Sequence, residues 1–245
     1  MDDAALRGEM VDGLEHETKQ AVTSDRVGEA MRTVPRHEFV DADRRAYLDR
    51  SFEHLGTRVL APGTAAFVLE ALDLAPGDSV LVVGAGVGYT AAVAAEIAGA
   101  RNVHAVDIAR EMVHDARDNL AAAGYGDVLV DCRDGAEGLP AYAPFDVILL
   151  EAAVARPPRA LLEQLSEDGR LVFPKGARPT GQTLTAIEDG EEAETFGPAA
   201  FAPLLVEGEQ HGAVERNRSH REDRERAART AKKGWEHEWI DWENR

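Results

Sequence analysis

Cysteine is almost absent from this chain. Cys132 stands alone, so no internal disulfide can form and the core must hold by packing. A single free thiol fits a reducing compartment, and the expected location is cytoplasmic. The opening residues MDDAALRGEM lack the basic and apolar stretches of a secretory signal. No apolar run approaches the roughly 20 residues that a membrane-spanning helix requires, so no membrane role is expected. Lysine is scarce too, with only Lys19, Lys175, Lys232 and Lys233. Acidic residues outnumber basic ones 45 to 27, for a net charge of −18. Such a lysine-poor, acidic surface suits high salt, where repulsion is screened within a few ångströms, and points to a halophilic setting. The same surface makes the body of the chain a poor candidate for unaided nucleic-acid binding. The eight histidines show no tight ligand spacing, so no metal site is expected.

What the chain does have is enough apolar material, 44% over 245 residues, to build one large domain with appendages. Residues 1–33 carry apolar positions at helical spacing, with Ser24-Asp25 placed to cap a second helix. Pro35 breaks that pattern. Residues 50–62 read as a loop with a short extended stretch at 58–60. Helices are expected over 63–72, 90–98, 110–123 and 157–165. Strands are expected over 79–83, 102–107, 127–131, 145–150, 170–173, 182–188 and 201–206, with 189–200 a polar connector. Strands alternating with helices from 79 to 174 predict a doubly wound α/β fold with a mostly parallel sheet.

The most informative stretch is SVLVVGAGVGY, residues 79–89. An apolar strand runs into alternating glycines at Gly84, Gly86 and Gly88, and an alanine-rich helix follows. Such a turn exposes bare backbone and the unpaired N–H groups of a helix start to a ligand. A dinucleotide fingerprint would place its third glycine at 89, where Tyr89 stands. The observed spacing instead suits S-adenosyl-L-methionine, which has no pyrophosphate to cradle. Asp107 closes the second strand, where a carboxylate can accept from ribose hydroxyls. Asp134 and Gly135 follow the third strand and are placed to edge the adenine. Glu151 ends the fourth strand, where a ligand crevice opens in such sheets.

These residues, together with Val34-Pro35-Arg36, Phe39-Val40, Ala143-Pro144-Phe145-Asp146 and the run from Gly169 to Gly176, resemble the protein-L-isoaspartate O-methyltransferases. The resemblance spans roughly residues 8–206. It implies a seven-stranded Rossmann-like methyltransferase sheet with N-terminal helices, and S-adenosyl-L-methionine as cofactor. It also implies a protein or peptide substrate carrying isoaspartate, whose stray carboxylate is methylated for repair. The chain then divides into an N-terminal helical and substrate-loop region (1–62), the cofactor-binding domain (63–210) and a charged tail (211–245).

Two departures stand out. The family loop G-Q-T-I-S-x-P is here Gly56-Thr57-Arg58-Val59-Leu60-Ala61-Pro62, so Leu60 replaces a serine. Leucine has no hydrogen-bonding atom, which leaves Thr57 and Arg58, with His54 just upstream, to face the substrate. Val82 occupies a position two residues before the first glycine, where many methyltransferases carry an acid. The family usually has threonine at Glu151. Two other readings therefore stay open: a non-catalytic relative that keeps the fold, and a methyltransferase redirected to another acceptor. The tail holds 8 basic and 3 acidic residues over 216–233, followed by Trp235, Trp239 and Trp242 at helical spacing. It is expected to dock on its own chain, or to mediate self-association or a partner contact.

Overall fold

The computed structural model describes residues 2–40, 43–176 and 181–205. The tail expectations, from the charged run to the three tryptophans, lie outside the described residues. The N-terminal segment forms α1 (Asp3–Glu15) and α2 (Asp25–Thr33). The Ser24 side chain caps α2 by accepting from the Val27 N–H at 3.3 Å. A hairpin follows, β1 (Phe52–His54) paired antiparallel with β2 (Thr57–Val59), and then α3 (Pro62–Leu72) with proline in its first turn.

The main sheet begins with β3 (Val80–Val83), α4 (Tyr89–Ala98), β4 (Val103–Asp107), α5 (Arg110–Ala122) and β5 (Leu129–Cys132). It continues with β6 (Phe145–Leu150), α6 (Arg159–Leu162), β7 (Leu165–Lys175), β8 (Gln182–Glu188) and β9 (Glu191–Ala199). Strand order is β5-β4-β3-β6-β7-β8-β9, parallel from β5 through β7 and antiparallel beyond. The winding reverses between β3 and β6. A crevice opens at that point, beyond the carboxyl ends of the strands.

Both faces of β3 are buried, and its side chains alternate between two cores. Val80 and Val82 join the cluster that holds α1 to α5. Leu81 and Val83 join the cluster on the opposite face. That second face carries little helix: the expected helix over 157–165 is a single turn, α6, because Pro157 and Pro158 restrict the approach and the chain has already entered β7 at Leu165. Val82 is fully buried against the helical layer.

The expected seventh strand is displaced. Residues 189–200 are not a connector; they turn at Asp189-Gly190, both with positive φ (52° and 77°), and return as β9. An Asp-Gly turn of this kind joins antiparallel neighbours. The strand carries little sequence signal because its first five residues are exposed at the sheet edge and show no apolar alternation. Residues 201–205, expected as strand, lie outside the sheet apart from one bridge between Pro203 and Ala153. The Gln182 side chain stands in for a pairing strand there, accepting from Phe201 N–H (2.7 Å) and donating to Phe201 C=O (2.9 Å).

One side chain ties the end of the hairpin to the first turn of α4. Arg36 is wholly buried; its Nε donates to Ala46 C=O at 2.9 Å and its Nη2 to Leu60 C=O at 2.5 Å. The guanidinium also lies 4.4 Å from the centre of the Tyr89 ring, at the first turn of α4. Burial lowers its pKa from the usual arginine value. Arg36→Met keeps much of the volume but strands two carbonyls. It should cost about 2–4 kcal/mol in denaturant unfolding. Arg36→Lys should recover only part of that loss, since one ammonium cannot reproduce the fork. Wild-type stability in the lysine variant would refute this account of the anchor.

Candidate active site

The glycine turn is held open by hydrogen bonds along its own backbone. Gly84 and Ala85 both donate to Val106 C=O (2.8 and 3.0 Å). Gly84, Gly86 and Gly88 all have positive φ (94°, 52° and 92°). Their reasons for being glycine differ. A Cβ on Gly88 would lie 3.2 Å from Leu120 Cγ and 3.4 Å from Ala116 C=O, so Gly88 lets α5 pack against the start of α4. A Cβ on Gly86 would meet nothing within 4 Å, so the space over Gly86 is open. The Asn119 side chain of α5 donates to Val87 C=O at 3.0 Å and steadies the same turn.

Asp107 sits at the end of β4 as expected. Its two carboxylate oxygens accept from Gly86 N–H (3.1 Å) and Ala109 N–H (2.9 Å). This orients the group across the mouth of the turn, and a carboxylate so held keeps lone pairs for further donors. Asp134 caps the short helical turn Gly135–Glu137 by accepting from Ala136 N–H at 2.8 Å. A Cβ on Gly135 would fall 2.4 Å from Val83 Cγ1, so only glycine permits this loop to lie against β3. These residues gather at the carboxyl ends of β3, β4 and β5 as a backbone-lined cradle beside a fixed carboxylate, and of them Gly86 lines the pocket under the hairpin. That geometry fits the nucleoside and amino-acid portions of S-adenosyl-L-methionine.

The hairpin closes over this cradle. Thr57, Arg58, Val59 and Leu60 share a pocket of about 30 Å³ with Arg36, Gly86, Thr90 and Glu151. Thr57 and Arg58 therefore meet the glycine turn. His54 does not line this pocket. Its Nε2 pairs with Asp115 Oδ2 of α5 at 2.6 Å, in a neighbouring cavity of about 370 Å³ that also touches His37 and Asn119. Arg58 and Leu60 also line a larger groove of about 590 Å³ that runs toward Phe67 and Phe201.

Two further residues line the pocket without a sequence signal of their own. Arg36 belongs to the Val34-Pro35-Arg36 motif, whose proline break is the nearest clue to an anchor, and nothing in the local pattern marks Thr90. Glu151, placed at the crevice by its strand position, proves to be enclosed. Its Oε1 has no hydrogen-bond partner, and its pKa is pushed up to about 7 by burial, against a hydrogen bond from Thr90 and with repulsion from Asp107.

Comparison with known proteins agrees with this architecture. A solved Plasmodium falciparum chain described as a protein-L-isoaspartate O-methyltransferase, in complex with S-adenosyl-L-homocysteine, superimposes with a TM-score of 0.70 at 19% identity. The match covers 81% of this chain and 98% of that one, and at this identity it speaks for the fold. A protein-L-isoaspartate O-methyltransferase from Aeropyrum pernix is 45% identical over 197 residues, 76% of this chain and 75% of the relative. One from Roseiflexus sp. is 40% identical over 210 residues, 84% of this chain and 94% of the relative. The family described as Protein-L-isoaspartate(D-aspartate) O-methyltransferase matches residues 8–205, and the chain belongs to it.

Proposed function

We propose that this chain methylates the carboxylate of isoaspartyl residues in proteins or peptides, with S-adenosyl-L-methionine as methyl donor. The observation that carries the reading is the shared pocket in which the β2 end of the hairpin meets Gly86 of the glycine turn. Gly84, Gly86 and Gly88 would let the cofactor lie against backbone, Asp107 would accept from its ribose hydroxyls, and Asp134 with Gly135 would border its base. When bound, the cofactor supplies a methyl group on a positively charged sulfur, which a carboxylate oxygen takes up with no proton transfer. The substrate acid is already ionised near neutral pH, so the protein needs no general base. Its work is positioning and exclusion of water. Thr57 and Arg58 serve that positioning. His54, paired with Asp115, holds the hairpin to α5 instead of reaching the reacting atoms.

The decisive assay compares an isoaspartyl peptide with its aspartyl twin. Methyl ester should form on the first alone. Equal rates on both, or none on either with cofactor bound, would overturn the reading. Two alanine variants separate the roles of the turn. Gly88→Ala should lower stability by about 2 kcal/mol or more, because it adds a clash to backbone strain. Gly86→Ala should cost only about 1 kcal/mol of stability. It should weaken cofactor binding by roughly tenfold or more in calorimetry, since its methyl group enters the open space. A wild-type cofactor affinity in the second variant would place the cofactor elsewhere.

We also propose that the acidic, lysine-poor composition adapts the chain to high salt in a cytoplasmic setting. Screening of the net −18 charge should raise the thermal midpoint by roughly 10 °C between about 0.2 M and about 3 M KCl. A midpoint that falls over that range would contradict the adaptation.

A further inference from the structure

The pocket between hairpin and glycine turn is walled from two sides. The hairpin side presents Thr57 and the exposed Arg58 beside Leu60, which can neither donate nor accept. The opposite side presents Glu151, carried by the end of β6. Its backbone N–H donates to Val83 C=O at 2.8 Å, which continues the strand pairing and fixes where the side chain starts. Its Cβ lies 3.5 Å from the point where a Cβ on Gly84 would stand, so the side chain passes directly across the turn. The end of that side chain carries a sealed oxygen, Oε1, with no partner. A buried carboxyl oxygen left unpaired is costly, and such a group in a native pocket calls for an occupant.

The charged and titratable groups around it restrict what that occupant can be. Asp107, from β4, is a like charge and repels an ionised Glu151. Arg36 and Arg58 line the pocket from the other elements; Arg36 donates to the Ala46 and Leu60 carbonyls through Nε and Nη2, while its Nη1 is buried with no hydrogen-bond partner. Tyr89 and Thr90 of α4 complete the wall, and Thr90 bonds to the Glu151 side chain. With no cation paired to it, Glu151 is held as a neutral acid up to about neutral pH, where its O–H is a donor. A neutral acid can face an incoming carboxylate; an ionised one would repel it.

Resting on the methyltransferase reading above, we propose that Glu151, as a protonated carboxylic acid, donates a hydrogen bond to the substrate carboxylate and orients it for methyl uptake. Glu151 thereby supplies the polar contact that Leu60 does not. The proton stays on Glu151 throughout, because the substrate enters ionised and leaves as an ester. Binding of the acceptor is then coupled to one protonation in the pocket, and deprotonation of Glu151 places two carboxylates face to face.

The test is the pH dependence of methylation of an isoaspartyl peptide by the full chain and two variants, with cofactor affinity measured separately by calorimetry. In the wild type, kcat/KM should fall about tenfold per pH unit above roughly pH 7. Glu151→Gln is a permanent donor of the same shape, so it should stay active and lose that fall up to about pH 9. Glu151→Ala should raise the peptide KM about tenfold or more at every pH while cofactor affinity stays within about threefold. The unfolding midpoint supplies a readout that does not need turnover. A folded-state pKa raised from 4.5 to about 7 gives stability that is complete below about pH 4.5 and lost as pH rises through 7. Glu151→Gln should therefore gain on the wild type at about pH 8 compared with about pH 5. A glutamine variant that keeps the wild-type pH fall overturns the proposal. So does an alanine variant whose defect lies in cofactor affinity with peptide KM unchanged. A wild type that methylates at no pH while binding cofactor overturns the activity reading and this inference with it.

Discussion

The site depends on one buried cation and the carbonyls it holds. Arg36 follows a proline that ends the N-terminal helices, and its guanidinium reaches the Ala46 and Leu60 carbonyls while lying against Tyr89. Those contacts join three pieces that are remote in sequence: the segment after α2, the end of the hairpin, and the first turn of the helix that follows the glycines. A guanidinium suits the task because its donors are fixed in a plane and spread over two directions. Withdrawal of that group would leave the hairpin held by the burial of Val59 in the core and by the half-buried pair of His54 and Asp115.

Much of the sheet could be read from the chain because its strands are apolar on both faces and their helices sit between glycine and proline stops. β3, β4 and β6 fall where the apolar runs place them, and Ser24 caps α2 as its position suggests. The misreadings have physical causes. β9 is an edge strand with one polar face and one nearly bare, so alternation was weak and the Asp189-Gly190 turn was the stronger clue. The helix over 157–165 shortened because two prolines and an early strand left it one turn. Near the switch point, glycine spacing and strand ends place the turn at Gly86 and the carboxylate of Asp107 at the end of β4. The separate duties of Gly88 and Gly135 were not legible, because they depend on Leu120 and Val83, which no local pattern brings near. The pairing of His54 with Asp115 was not legible for a similar reason: the two lie 61 positions apart.

The two carboxylates near the switch point show how environment separates identical chemistry. Asp107 is met by two backbone N–H groups and is set up to accept. Glu151, a strand away, is enclosed with an oxygen unpaired and is biased to keep its proton. Acceptor and donor are thus made from the same functional group, on opposite sides of one glycine turn. The overall charge of the chain does not dictate this; enclosure and the identity of the nearest donors do.

The sheet ends at β9 with Glu191, Glu192 and Glu194 on an exposed border, and Lys175 and Arg170 reach across from β7 to meet Glu192 and Glu194. A damaged polypeptide is often a loosened one, and loosened chains anneal readily to open strand edges. A molecule that collects such chains risks being fouled by them. Carboxylates along this border, the last strand on that side among the described residues, make it a poor template for a visiting chain.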